Sequence, residues 1–203
     1  MRQMQPVTKE KHLMKTCILM ASPRKQGNTA ALMEGFCSEL DRLNEEFTYY
    51  HLYDMNIDGC IACRRCQQDW SGFNCFRNDD MQQIAEDILD SDIILFATPI
   101  YSWYCTPPLK AVMDRLVYGM NKYYGETKGP AIWAGKRLAA VTTCGYPPEK
   151  GSDIFEEGLE RYCRHSGLEF AGMITEHHKG YNTVFMDSQK AEHIKEFVQK
   201  LYR

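Results

Sequence analysis

Four cysteines stand close together in Cys60-Ile61-Ala62-Cys63-Arg64-Arg65-Cys66 and, after a longer gap, Cys75. The thiolate is both nucleophile and metal ligand, so this spacing is read first as redox or metal chemistry. Three thiols at three-residue intervals can wrap a cubane corner by corner, whereas zinc sites more often use two separated knuckles. If the segment holds metal, a [4Fe-4S] cluster on Cys60, Cys63, Cys66 and Cys75 is favoured. The alternatives are free thiols acting as small buried hydrophobes, a zinc ion, or a redox-sensing disulfide. Arg64 and Arg65 can lower a thiol pKa, balance a cluster's negative charge, or simply face solvent.

A second segment, Ser22-Pro23-Arg24-Lys25-Gln26-Gly27-Asn28-Thr29, follows an apolar run and leads into a helical pattern. Backbone N–H groups, the helix dipole and two hydroxyls can converge there on an anion, with Arg24 adding a charge-assisted contact. It is neither a Walker loop nor a Gly-x-Gly-x-x-Gly dinucleotide fingerprint. A phosphotyrosine phosphatase would need an arginine six positions after a cysteine, and none of the nine cysteines has one. The plainer reading is that Ser22, Asn28 and Thr29 turn the chain and cap the helix.

The elements that must position these segments alternate short apolar runs with longer amphipathic stretches, the pattern of a parallel α/β sheet. Strands are expected at Thr16–Ala21, Phe47–Leu52, Asp92–Thr98, Arg137–Thr143 and Glu169–Glu176. Helices are expected at Asn28–Leu43, Asp79–Leu89, Pro107–Tyr118, Asp153–Ser166 and Ser188–Tyr202, with Asp79, Asp153 and Ser188 as cap or first-turn residues. The third strand is apolar throughout, as for a strand covered on both faces. Ligand loops in such sheets follow the strands. That rule selects Ser22–Thr29, Pro99-Ile100-Tyr101-Ser102-Trp103, and the turn containing Thr143 and Gly145. Two connections, Tyr53–Asn78 and Gly119–Gly135, are long enough to expect a function.

The 203 residues, 44% hydrophobic, suit one domain over 15–203, preceded by a polar arm at 1–14. A formal charge of -3 with interspersed signs excludes a nucleic-acid footprint, and the absence of a long apolar run argues against a membrane span. Without a recognisable signal peptide, a cytoplasmic location is expected, where nine cysteines argue against a disulfide scaffold.

The segments Ser22-Pro23-Arg24, Gly27-Asn28-Thr29, Thr98-Pro99-Ile100-Tyr101 and Pro108 to Arg115 together resemble the NADPH-dependent FMN reductases of the flavodoxin-like superfamily, from about Lys15 to the end. The resemblance implies a three-layer, doubly wound α/β fold whose five-stranded parallel sheet has the order 2-1-3-4-5. It implies FMN held by Ser22, Arg24, Gly27, Asn28 and Thr29 at the phosphate. Pro99, Ile100, Tyr101, Ser102 and Trp103 would lie along the ribityl chain and ring, and Thr143 and Gly145 near the pyrimidine. NAD(P)H is then a co-substrate, passing hydride to flavin N5, and a quinone, nitro or azo compound, free flavin or redox protein is the acceptor. No acid, base or nucleophile is required of the chain. A homodimer or homotetramer is implied, with the aromatic loop Tyr118–Trp133 suited to covering a neighbour's flavin. Asp114 and Arg115 are read as a structural ion pair or subunit contact.

The cysteine segment resembles the iron-sulfur flavoproteins, relatives that place a cluster in the connection after strand two. The gap before Cys75 is longer than their compact spacing, and cluster-free reductases also keep a Cys-x-x-Cys near this position. The rivals to a reductase are therefore an iron-sulfur electron carrier and a redox sensor built on the cysteine loop.

Overall fold

The computed structural model describes residues 13–180 and 183–203, so the expected arm lies outside the described residues except for Leu13 and Met14. The apolar runs form β1 (Lys15–Met20), β2 (Glu46–His51), β3 (Ile93–Pro99), β4 (Arg137–Cys144) and β5 (Glu169–His177). All neighbours pair in parallel, in the order β2-β1-β3-β4-β5. This is the sheet expected from the resemblance.

The central strands are apolar at successive positions because each face is covered. Alternate side chains of a strand point to opposite faces. Cys17, Leu19, Ile94, Phe96, Leu138 and Ala140 therefore enter a core with α2 (Met81–Asp90), α3 (Pro107–Met120) and α5 (Asp153–Ser166). Ile18, Met20, Leu95, Ala97, Ala139 and Val141 enter the other, under α1 (Asn28–Leu43) and α6 (Ser188–Leu201). Three layers result.

Local capping explains where the helices depart from expectation. α6 is capped by Asp187, whose carboxylate accepts the Lys190 N–H at 2.9 Å, rather than by Ser188. α2 begins at Met81, two residues late, and the carboxylate of Asp79 is turned toward Arg115. A short helix, α4 (Pro148–Gly151), precedes α5 and was not expected.

The two long connections pack against each other. Gln67 donates to the Asn121 carbonyl at 3.0 Å and accepts from the Tyr124 N–H at 2.9 Å. At two positions only glycine allows the approach. A Cβ on Gly119 would overlap the Phe73 ring, and one on Gly129 would stand 2.7 Å from both Lys122 Cβ and the Trp70 ring. The aromatic loop expected to reach a neighbour's flavin is thus folded onto the cysteine connection of its own chain. Its last aromatic, Trp133, is fully buried and donates to Asn121 Oδ1 at 2.7 Å.

Candidate functional site

Because β1 lies between β2 and β3, the connections leaving β1 and β3 run to opposite sides and open a crevice at their carboxyl ends. Hydrogen bonds draw the three sequence-selected loops to that edge. Ala21 N–H donates to Ala97 O at 2.7 Å, and Thr106 Oγ1 donates to Ala21 O at 2.7 Å. Ile100 N–H donates to Thr143 O at 2.7 Å, and the buried hydroxyls of Thr29 and Thr143 meet at 2.8 Å. Thr29 and Thr143, 114 residues apart, lock the first loop to the third.

The start of α1 resolves the two readings of Ser22–Thr29. Gly27 is its N-cap residue, and no side chain caps it. Ser22 Oγ bonds the backbone of Arg24 instead, and Thr29 is engaged with Thr143. The first N–H paired with a carbonyl inside the turn is that of Ala31, to Gly27 O at 3.0 Å. The amides of Asn28, Thr29 and Ala30 have no partner among the described residues, and the dipole favours negative charge there. A Cβ on Gly27 would meet Arg24 Cβ at 3.0 Å and its Nε at 3.3 Å, so glycine lets Arg24 fold back over the helix start. The loop has the geometry of an anion cradle rather than a self-capped turn.

The lip of the crevice is aromatic. Tyr101 to Tyr104 form a tight turn closed by Tyr101 N–H to Tyr104 O at 2.9 Å and the reciprocal bond at 3.1 Å. Its central residues, Ser102 and Trp103, have φ of 51° and 63°, a left-handed pair that side chains other than glycine adopt at a cost. The turn holds the Trp103 ring parallel to Tyr146, with centroids 6.3 Å apart, and Trp103 Nε1 donates to Lys150 O at 3.1 Å. Tyr101, Trp103 and Tyr146 remain 46%, 48% and 60% exposed, a flat apolar surface beside the anion cradle. Pro99 is buried, Ile100 half-buried and Gly145 exposed at the same edge.

The second region is the cysteine connection. Cys60, Cys63, Cys66 and Cys75 all line one apolar pocket, together with Arg115 and Tyr118 of α3. All nine cysteines are free thiols. Left-handed residues Ala62 and Arg64, with φ of 53° and 60°, bend the backbone between the first three. Among the described residues no group of three or more His, Cys, Asp or Glu is placed to hold a metal ion. Four cysteines lining one pocket are the donor set that an iron-sulfur cluster takes.

Two buried cations stand at this connection, Arg115 lining the pocket and Lys122 on the backbone of Cys66, and sequence reasoning foresaw neither contact. Arg115 does not pair with Asp114, which is bound by Lys110 at 2.7 Å. Instead its guanidinium contacts Asp79 at 2.5 Å, Asp58 O at 3.3 Å and Cys75 Sγ at 3.3 Å. Burial pushes the Asp79 carboxyl up, but the Arg115 hydrogen bond and charge outweigh this and hold it below the usual range. Lys122 is fully buried, donating to Cys66 O at 2.8 Å and Gly72 O at 2.6 Å. Arg65 and Arg77 lie over the Phe76 ring at 5.0 and 5.8 Å. Elsewhere, burial pushes the thiols of Cys17, Cys105 and Cys163 up to about 12. His177 Nε2 donates to Gly145 O at 3.3 Å at the rim.

Sheet order, switch-point crevice and uncapped first helix define a doubly wound α/β protein. The chain belongs to the family described as flavodoxin-like fold, whose model matches residues 14–203. It is 29% identical over 107 residues to an iron-sulfur flavoprotein of Archaeoglobus fulgidus, a match covering 52% of this chain and 47% of that one. It is 37% identical over 95 residues to an FMN-dependent NADH:quinone oxidoreductase of Methylorubrum extorquens, covering 45% and 46%. The matches thus span about half the length of these curated relatives. Among solved structures, an NAD(P)H:quinone oxidoreductase from Methanothermobacter marburgensis superposes with a TM-score of 0.69 at 19% identity, covering 93% of this chain and 96% of that one. An FMN-dependent NADH-azoreductase from Bacillus anthracis gives 0.65 at 17%, covering 94% and 100%. At these identities the superpositions speak for the fold.

Proposed function

We propose that residues 15–203 form an FMN-dependent oxidoreductase domain that takes electrons from NAD(P)H and delivers them to a small acceptor such as a quinone or an azo or nitro compound. The observation that carries this reading is the uncapped head of α1, with three unpartnered amides beside the buried Ser22 hydroxyl, at the switch point of the sheet. Those amides, Ser22, Thr29 and Arg24 would hold the flavin phosphate. Residues 99–103 would offer backbone and aromatic surface to the ring, and Thr143 and Gly145 would contact its pyrimidine side. When bound, FMN supplies hydride acceptance and electron release. The residues around the crevice are amides, hydroxyls and aromatic rings, so the chain's work is to bind, orient and shield. Trp103 and Tyr146 form one apolar wall against water.

The test is the visible spectrum and FMN content of the purified protein, followed by anaerobic NADH and NADPH oxidation with a quinone acceptor. One FMN per chain with acceptor-dependent turnover is expected. Failure to bind FMN after reconstitution overturns the proposal.

The shared pocket of four cysteines supports a second reading, an iron-sulfur flavoprotein in which Cys60, Cys63, Cys66 and Cys75 hold a [4Fe-4S] cluster. When bound, such a cluster supplies single-electron transfer. Anaerobic reconstitution with iron and sulfide should then yield about four irons per chain. A chain that takes up neither ends this reading and leaves the first intact.

A further inference from the structure

We infer that Lys122 is the counter-charge of the cysteine pocket, a fixed buried cation that favours an anionic metal-thiolate cluster there and favours its reduced form. The inference rests on the iron-sulfur reading above and assigns a residue to it.

Lys122 is a buried charge with no ion-pair partner among the described residues. Lys122 is 0% exposed and among the largest fully buried side chains. Its ammonium donates to two neutral carbonyl oxygens, of Cys66 and Gly72, and among the described residues no carboxylate pairs with it. A buried ammonium without a counter-ion is strongly unfavourable. The nearby acids are committed elsewhere: Asp79 to Arg115, Asp58 to Arg77, and Asp69 to the Ser71 N–H. Asp69 keeps its charge but is exposed and forms no ion pair with Lys122, so the buried ammonium beside the backbone of Cys66 has only a solvent-screened acid near it, and exposed Arg64 adds positive charge at the pocket. Neutral thiols offer it nothing. Four thiolates around an iron-sulfur core are negative overall, and reduction adds one electron and one further negative charge. Charge and hydrogen bonding near a cluster set its potential.

A rival explanation is that Lys122 only staples the two long connections through its carbonyl contacts. The two differ in what removal of the charge does. The test is an anaerobic redox titration of the reconstituted protein with dithionite as reductant, comparing wild type, Lys122→Met and Lys122→Arg. Lys122→Met should lower the reduced-to-oxidised ratio at fixed potential about tenfold, a midpoint about 59 mV more negative for one electron. Lys122→Arg should restore it. In melts, the metal-free Lys122→Met protein should be at least as stable as wild type, while its gain in Tm on reconstitution shrinks. If Lys122→Met does not fold, Lys122→Gln keeps a donor to the carbonyls and reads the same midpoint. A variant with full iron content, an unchanged midpoint and an unchanged Tm gain overturns the inference. A wild-type chain that never takes up iron overturns the cluster reading instead, a result read before any variant is made.

Discussion

At the head of α1 the groups facing a ligand are backbone amides, set in place by sheet order and one glycine. Around Cys60–Cys75 they are side chains on a connection that contains a single helical turn, Arg65–Gln67. The first region is positioned by the fold. The second must be positioned by what packs onto it: Phe73 on Gly119, Trp70 on Gly129, and Arg115 on Cys75. The uncapped helix start therefore comes with the architecture, whereas a four-cysteine pocket needs residues from α3. The two regions should fail independently.

The largest separation comes from removing one exposed thiol. Cys63→Ser should abolish cluster content after anaerobic reconstitution while leaving FMN stoichiometry unchanged, read by iron, sulfide and flavin assays on one sample. Loss of FMN with the iron would show that the regions are coupled.

The converse is Thr29→Val, which keeps the shape of the buried side chain and removes its hydroxyl at the head of α1. A hydrogen bond to a charged group contributes about 1.5–3 kcal/mol. FMN should bind roughly 10- to 100-fold more weakly by fluorescence titration, with cluster content unaltered. An unchanged Kd would remove Thr29 from the phosphate site.

Packing offers a third cut. Gly119→Ala forces a methyl into the Phe73 ring, an overpacking expected to cost about 1–3 kcal/mol, or roughly 2 to 12 °C in Tm. Cluster uptake should fall with it, while the flavin Kd of the folded fraction stays put. Equal loss of both would place α3, rather than the cysteine loop, as the element at risk.

The same contrast decides what the sequence made legible. Strands β1 and β3 and helices α1 and α5 could be drawn to within a residue or two, because burial on both faces leaves an unbroken apolar run and amphipathic spacing leaves a stripe. The placement of the three candidate loops followed from those elements, since a loop after a parallel strand lies at the carboxyl edge. Arg115 and Lys122 were not legible. Each is one charge in a stretch of mixed charges, and nothing local announces that tertiary packing will bury it. The hint was the pairing of two long connections, which had to cover something. Ser102 and Trp103 show the other limit, because neither residue type signals a left-handed turn.

The smallest effect tests whether Arg115 anchors the cysteine side through Asp79. The folded carboxyl of Asp79 lies below its unfolded value of about 3.9, so its contribution to stability is fully present above that value and disappears as pH falls through the folded pKa. At neutral pH Asp79→Asn should melt lower than wild type, because it leaves the buried guanidinium without its anion. Only as pH falls through that lowered folded pKa is the wild-type carboxylate itself protonated, and there the two melting curves should converge. FMN affinity in both proteins should be the same at every pH where they are folded, since neither residue reaches the head of α1. A gap between the variants that persists unchanged to low pH would mean that Asp79 acts by its shape and its bond to the Met81 N–H at 3.2 Å, and that charge does not hold the cysteine connection in place.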